Sequence, residues 1–218
     1  MSNCILVIGE SGSGKSTSIR TLNPEETLII NVLDKPLPFK GYKNKYKKLT
    51  EEGAKGNYYA TDNFSKLMSC IKIANGRKGI KNIIIDDYQY MLCNEFMRRA
   101  MEKGFDKFSE IAQHAWAIIN ALTQCREDLF CFVLSHSDAD SSGKMKCKTI
   151  GKMLDDKVTL EGMFTVVLHT QIIDGQYKFL TQNNGTHIAK SPMGMFDSQY
   201  IDNDLLLVKN KINDYSEE

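Results

Sequence analysis

Residues 4–17 read Cys4-Ile5-Leu6-Val7-Ile8-Gly9-Glu10-Ser11-Gly12-Ser13-Gly14-Lys15-Ser16-Thr17. The apolar, β-branched run before Gly9 predicts a buried strand, and the chain restarts as a short helix over 16–22. Between them lies the complete G-x-x-x-x-G-K-S pattern of a phosphate-binding loop. Gly9, Gly12 and Gly14 permit backbone conformations that a Cβ forbids, so that successive N–H groups turn toward one anion. The following helix turns its positive end toward the same anion. Glu10, Ser11, Ser13 and Thr17 complete the cradle. Lys15 reaches the β- and γ-phosphates, and the Ser16 hydroxyl holds Mg²⁺. The expected ligand is ATP with Mg²⁺.

Working outward, a second strand is expected over 27–32, closed by Asp34-Lys35-Pro36-Leu37-Pro38, which forbids regular structure. Lys40, Lys43, Lys45, Lys47 and Lys48 follow, interleaved with Phe39, Tyr42 and Tyr46. This stretch reads either as a solvated loop or as a nucleic-acid contact, lysines neutralising phosphates and aromatics stacking on bases. Asp62 is the expected cap of a helix in which Phe64, Leu67, Met68, Ile71 and Ala74 keep helical spacing and Gly76 is the stop. Then Asn82-Ile83-Ile84-Ile85-Asp86-Asp87 sets three isoleucines before two acids. That is the form of a Walker B strand. Asp86 orients Mg²⁺, and Asp87 occupies the place of a water-activating acid.

Two helices are expected over 88–103 and 106–127, the second strongly amphipathic, with His114 and Trp116 read as packing residues. A buried strand over 129–134 ends at Ser135-His136-Ser137. Ser135 and His136 are candidates to sense the γ-phosphate; a plain strand end is the alternative. Gly143-Lys144-Met145-Lys146-Cys147-Lys148 alternates as an extended segment with its lysines on one side, and Lys152 adds a fourth. These lysines either grip a phosphate backbone or charge a sheet edge against aggregation. A strand over 163–173, a turn at Asp174-Gly175 and a return strand over 176–182 form a C-terminal hairpin. A last helix, capped by Asp202 or Asn203, spans 205–212.

The chain has 218 residues, 42% hydrophobic and 25% charged, with a net charge of +1. This predicts one soluble domain over 1–218, in which any nucleic-acid contact comes from local patches. Six scattered cysteines without a C-x-x-C pair read as reduced, buried thiols. No apolar run reaches membrane length and no charged leader precedes the first strand, so the expectation is a cytoplasmic protein with no membrane partner. Alternating strands and helices with ligand chemistry at strand ends describe an α/β P-loop sandwich with a mostly parallel sheet and a C-terminal β-hairpin.

The chain also resembles a family of bacteriophage ATPases related to the RecA core, including the Sak-type single-strand-annealing ATPases. The likeness rests on Gly9–Ser16, Ile29-Ile30-Asn31-Val32 with Lys35-Pro36-Leu37-Pro38-Phe39, Ile83–Asp87, Val133-Leu134-Ser135-His136-Ser137 and Ala189-Lys190-Ser191-Pro192-Met193-Gly194. It implies a RecA-like three-layer sandwich and an ATPase acting on single-stranded DNA in phage replication or recombination. A phage single-strand-binding protein is the implied partner. RecA-type ATPases carry a catalytic glutamate after the second strand; here Asp34 stands in that region, so the base is Asp34 or Asp87 and hydrolysis is expected to be slow. The resemblance further implies a head-to-tail homo-oligomer in which a neighbour's cation completes the site. No arginine follows Arg126, which leaves Lys178 or, in a loop shaped by Pro192 and Gly194, Lys190. Two other readings stand beside this one. A nucleotide or small-molecule kinase would close an arginine-bearing lid, which the C-terminal third lacks. A non-hydrolysing, ATP-gated DNA-binding or loader module would keep the loop and dispense with turnover. A GTPase is disfavoured, because Asp86-Asp87-Tyr88-Gln89 lacks the D-x-x-G glycine and Asn210-Lys211-Ile212-Asn213 lacks the closing acid of N-K-x-D.

Overall fold

Among the described residues nine strands form a mixed sheet, and its strand order brings the glycine-rich loop and the acids to one end. The computed structural model describes residues 2–49, 56–150 and 158–217. Lys152 lies outside them. The strands are β1 (Asn3–Gly9), β2 (Thr27–Asn31), β3 (Tyr58–Ala60), β4 (Asn82–Asp86), β5 (Phe130–Ala139), β6 (Met145–Cys147), β7 (Val166–Ile173), β8 (Gln176–Leu180) and β9 (Tyr200–Asp202). Their order is β3-β2-β4-β5-β1-β7-β8-β9, with β6 paired to the far end of β5. From β3 through β7 the pairing is parallel; β8, β9 and β6 are antiparallel additions.

Alternation along the central strands sends side chains to both faces, as a sheet covered on both sides requires. Leu6, Ile8, Ile83, Ile85 and Val133 face one layer, packed on α2 (Phe64–Gly76), α3 (Gln89–Arg98) and α4 (Asp106–Thr123). Ile5, Val7, Ile84, Phe132 and Leu134 face the other, packed on the 3-10 helix Ser16–Thr21 and on α5 (Leu205–Glu217). The result is a three-layer sandwich in which two cores share one sheet. Burying a large aliphatic side chain stabilises the fold by roughly 1.5–3 kcal/mol. The all-buried pattern of β4 therefore makes it a rigid base for the acid that ends it.

Several expectations change at their edges. Asn63, not Asp62, caps α2, its side chain accepting from the Lys66 N–H; Asp62 instead pairs with Arg98 and Asn94. The helix expected over 88–103 is α3, ending at Arg98. Asp204, not Asp202 or Asn203, accepts from the first amides of α5. A single helical turn, α1 (Tyr42–Lys45), interrupts the lysine-rich stretch. His114 does pack, stacked on Phe64 and bonded to Glu95. Trp116 is 44% exposed and lies outside the core. All six cysteines are free, and only Cys93 is less than buried. Among the described residues no helix is long and apolar enough to cross a membrane.

Candidate nucleotide site

Gly9 ends β1 against Thr170 of β7; a Cβ at Gly9 would lie 1.8 Å from Thr170 Oγ1. Thr170 Oγ1 donates to the Ile8 carbonyl and shares a 2.5 Å hydrogen bond with Ser13 Oγ. Gly12 and Gly14 take φ of 79° and 100°, the left-handed region that only glycine enters without strain. The loop is thus folded back on itself and fastened to β7. Lys15 is buried, its Nζ donating to the carbonyls of Gly9 (2.9 Å) and Glu10 (2.8 Å). Burial pulls its pKa down to about 8, against the opposing charges of Asp87 and Asp86. The ammonium is therefore not in an open, water-filled cleft, as a lysine at a loop tip would be.

Across the sheet, β5 lies between β1 and β4. Its register sets Ile8 opposite Ser135 and Gly9 opposite His136. The two acids thus face the loop across one strand width. Ser16 Oγ donates to Asp86 Oδ1 at 2.8 Å. Burial first, then the charge of Asp87, raise the Asp86 carboxyl to about 6. A buried carboxylate short of positive charge beside a hydroxyl is a hard-oxygen pair of the kind Mg²⁺ takes while keeping several waters. The residues present therefore fit the metal.

Asp87 is buried and held at φ 63°. Lys35 Nζ lies 2.7 Å from its Oδ2 and His136 Nε2 lies 3.4 Å from its Oδ1. Burial pushes this carboxyl up, but the bonds from His136 and Lys35 and the lysine charge outweigh it, and its pKa falls below the usual carboxylate value. Of the two sensor candidates, only His136 reaches the acids. Ser135 is buried and donates to Gln89 Oε1, which also accepts the His136 N–H.

Asp34 does not join this cluster. It is exposed, at φ 53°, and bonds Lys48 (2.7 Å) and the Tyr58 hydroxyl (3.2 Å). The tip of β2 contributes Asn31, whose side chain holds both the N–H and the carbonyl of Lys35. Lys190 is half-buried and stands back from the rim, its backbone bridged to Val167, three residues before Thr170. Lys178 is tied to Asp202 at 2.6 Å. On the β5–β6 arm, Lys148 pairs with Asp138, and its N–H donates to the His136 carbonyl. Lys144 is fastened through its N–H to Asp140.

A family model described as an AAA domain matches residues 1–193. The chain belongs to the AAA-domain family. This is an AAA-type P-loop ATPase family. Comparison with curated proteins finds no match. Within this AAA domain the residues that sequence reasoning missed are Lys35, Thr170, Gln89 and Asn31. Lys35 carried one weak signal, a lysine directly behind the strand beside Walker B. Thr170 carried none, because its role comes from a neighbour 157 positions away.

Proposed function

We propose that this AAA domain is a Mg²⁺-dependent ATPase acting on single-stranded DNA in phage replication or recombination, assembled head to tail and working beside a single-strand-binding protein. One observation carries the reading. Lys15, Ser16, Asp86, Asp87 and His136 converge at the end of the sheet that also bears two lysine-rich elements, the 40–48 segment and the β5–β6 arm. In this reading Asp87 orients a water and accepts its proton as the water oxygen bonds the γ-phosphorus and the β–γ bridging oxygen departs. Lys15 neutralises charge on the transferring group. Ser16 and Asp86 would hold Mg²⁺, which would add further neutralisation.

One observation favours a second reading. Asp87 is engaged at 2.7 Å by Lys35, and a base so occupied suits a module that binds ATP and turns it over slowly or not at all. Steady-state turnover with and without single-stranded DNA separates the two. The ATPase reading expects turnover that rises with DNA and disappears in Lys15→Ala. A loader expects tight ATP binding with no DNA-dependent turnover. Phosphate transfer to a small-molecule acceptor in preference to water would mark a kinase.

A further inference from the structure

Beside the nucleotide site lies a groove of about 550 Å³ between the loop after β2 and α1. Its walls include Lys43, Lys47 and Lys48 with Tyr42, Tyr46 and Tyr58, and its mouth carries Asp34 and Lys35. Four lysines thus meet a single carboxylate among the described lining residues. Asp34 neutralises one of them, Lys48. Lys43 and Lys47 are exposed, with no side-chain ion pair among the described residues. Such a site attracts a chain of phosphates, and the half-buried Tyr42 supplies ring surface for a base, while Tyr46 and Tyr58 are buried and form the groove's floor.

The groove and the nucleotide site meet in two consecutive residues. Asp34 turns into the groove toward Lys48 and Tyr58, while Lys35 turns out of it toward Asp87. Asn31 grips the Lys35 backbone on both sides, and the positive φ of Asp34 sets the two side chains apart. Lys35 is 54% exposed along its side chain and lies 5.7 Å over the Tyr90 ring. Its long stem can swing without disturbing the core.

We propose that this groove binds single-stranded nucleic acid and that Lys35 is the relay to the nucleotide site: phosphates in the groove repel Asp34 from Lys48, draw the Lys35 ammonium to themselves and free the Asp87 carboxylate to take a proton from water. This rests on the ATPase reading above and adds the binding site and the coupling. Lys35 is a positioning residue, acting through Asp87.

The test uses the full chain, a fluorescein-labelled oligothymidylate and ATP. For Lys43→Ala/Lys47→Ala we expect oligothymidylate affinity to fall about tenfold or more, with the log–log salt slope reduced by about 1.4, ~0.7 for each lost phosphate contact. For Lys35→Met we expect turnover without DNA to rise several-fold toward the DNA-stimulated rate and stimulation to shrink toward one. Lys35→Arg should restore the DNA dependence. Unchanged affinity and slope in the double variant overturn the groove. A fall in DNA-free turnover in Lys35→Met, or undiminished stimulation, overturns the relay. Lys35→Gln serves as a second variant for the same readouts. If wild type is stimulated by DNA while these variants behave as wild type, this inference fails and the ATPase reading stands. Wild type that binds no oligothymidylate sinks the DNA reading itself.

Discussion

Asp86 and Asp87 are adjacent in sequence, yet their surroundings push them in opposite directions. Asp86 is raised by burial and by its neighbour's charge; Asp87 is lowered because Lys35 and His136 outweigh its burial. Moving Asp86 from 3.8 to about 6 makes its ionised form cost the free fold roughly 3 kcal/mol at pH 8, at ~1.4 kcal/mol per pK unit. The folded state binds this proton more tightly than the unfolded state does, so the cost is relieved as pH falls from about 7 toward 4. Asp87 has the opposite sign: its stabilisation is present above the unfolded value and lost as pH falls through its lower folded value. Asp86→Asn should therefore stabilise the metal-free protein at pH 8, by up to ~3 kcal/mol. It should flatten the rise in urea midpoint on acidification, and Mg²⁺-dependent ATP binding should weaken. A second expectation separates the candidate bases. Asp87→Asn should slow turnover by about 10² or more with ATP binding nearly intact, whereas Asp34→Asn should leave DNA-free turnover within a few-fold of wild type. Slow turnover in Asp34→Asn with a silent Asp87→Asn reverses the assignment. The acids were legible because three isoleucines ending in Asp-Asp after a complete phosphate loop admit few other readings. Lys35 was not, since Asp34-Lys35-Pro36-Leu37-Pro38 declares an irregular loop and says nothing of where a side chain in it points.

Elements with a full period of apolar residues were legible: β1, β2, β4 and α2 lie where their patterns set them, α4 stops at Thr123 short of the expected 127, and β7 starts at Val166 because Leu160–Met163 forms a 3-10 helix in place of the strand expected from 163. Of the three-residue strands, β6 falls inside the extended segment expected over 143–148, but β3 and β9 carried no signal. β3 and β9 exist because a neighbouring edge supplies their hydrogen bonds, and no window of three residues carries a period. The β5 strand runs five residues past its apolar run because β6 pairs with its polar extension. The fastening of β1 to β7 was likewise invisible, yet it yields a sharp prediction. Gly9→Ala drives a Cβ to 1.8 Å from Thr170 Oγ1 and 2.7 Å from Ser13 Oγ. Overpacking of this kind costs about 1–3 kcal/mol, to be read as a lowered urea midpoint. Removing the hydroxyl should relieve most of the clash, so Gly9→Ala/Thr170→Ala should be more stable than the sum of the single changes predicts. Additive losses would mean that the loop, rather than β7, absorbs the added methyl.

At the scale of the molecule, Asp87 stands where two arms meet: the loop after β2 reaches it through Lys35, and the β5–β6 arm reaches it through His136, whose carbonyl holds the Lys148 N–H. Lys15 is bound to carbonyl oxygens of the chain itself, and Lys35 is engaged by Asp87. The proposed assembly adds a cation from a neighbour, and no arginine follows Arg126 to provide it. Lys178 is committed to Asp202, whereas Lys190 has no ion pair among the described residues and is fixed by its backbone to β7, which gives its side chain a rigid mount. Lys190→Ala should lower turnover while leaving ATP affinity within a few-fold of wild type, since the cation acts on charge that develops during transfer. Excess Lys15→Ala should partly rescue it, because a mixed junction joins the intact phosphate loop of one parent to the intact lysine of the other. Turnover per subunit of wild type should rise with protein concentration. A concentration-independent rate, with a monomer by light scattering in ATP and DNA, would remove the neighbour from the mechanism and leave Lys15 to carry the charge alone.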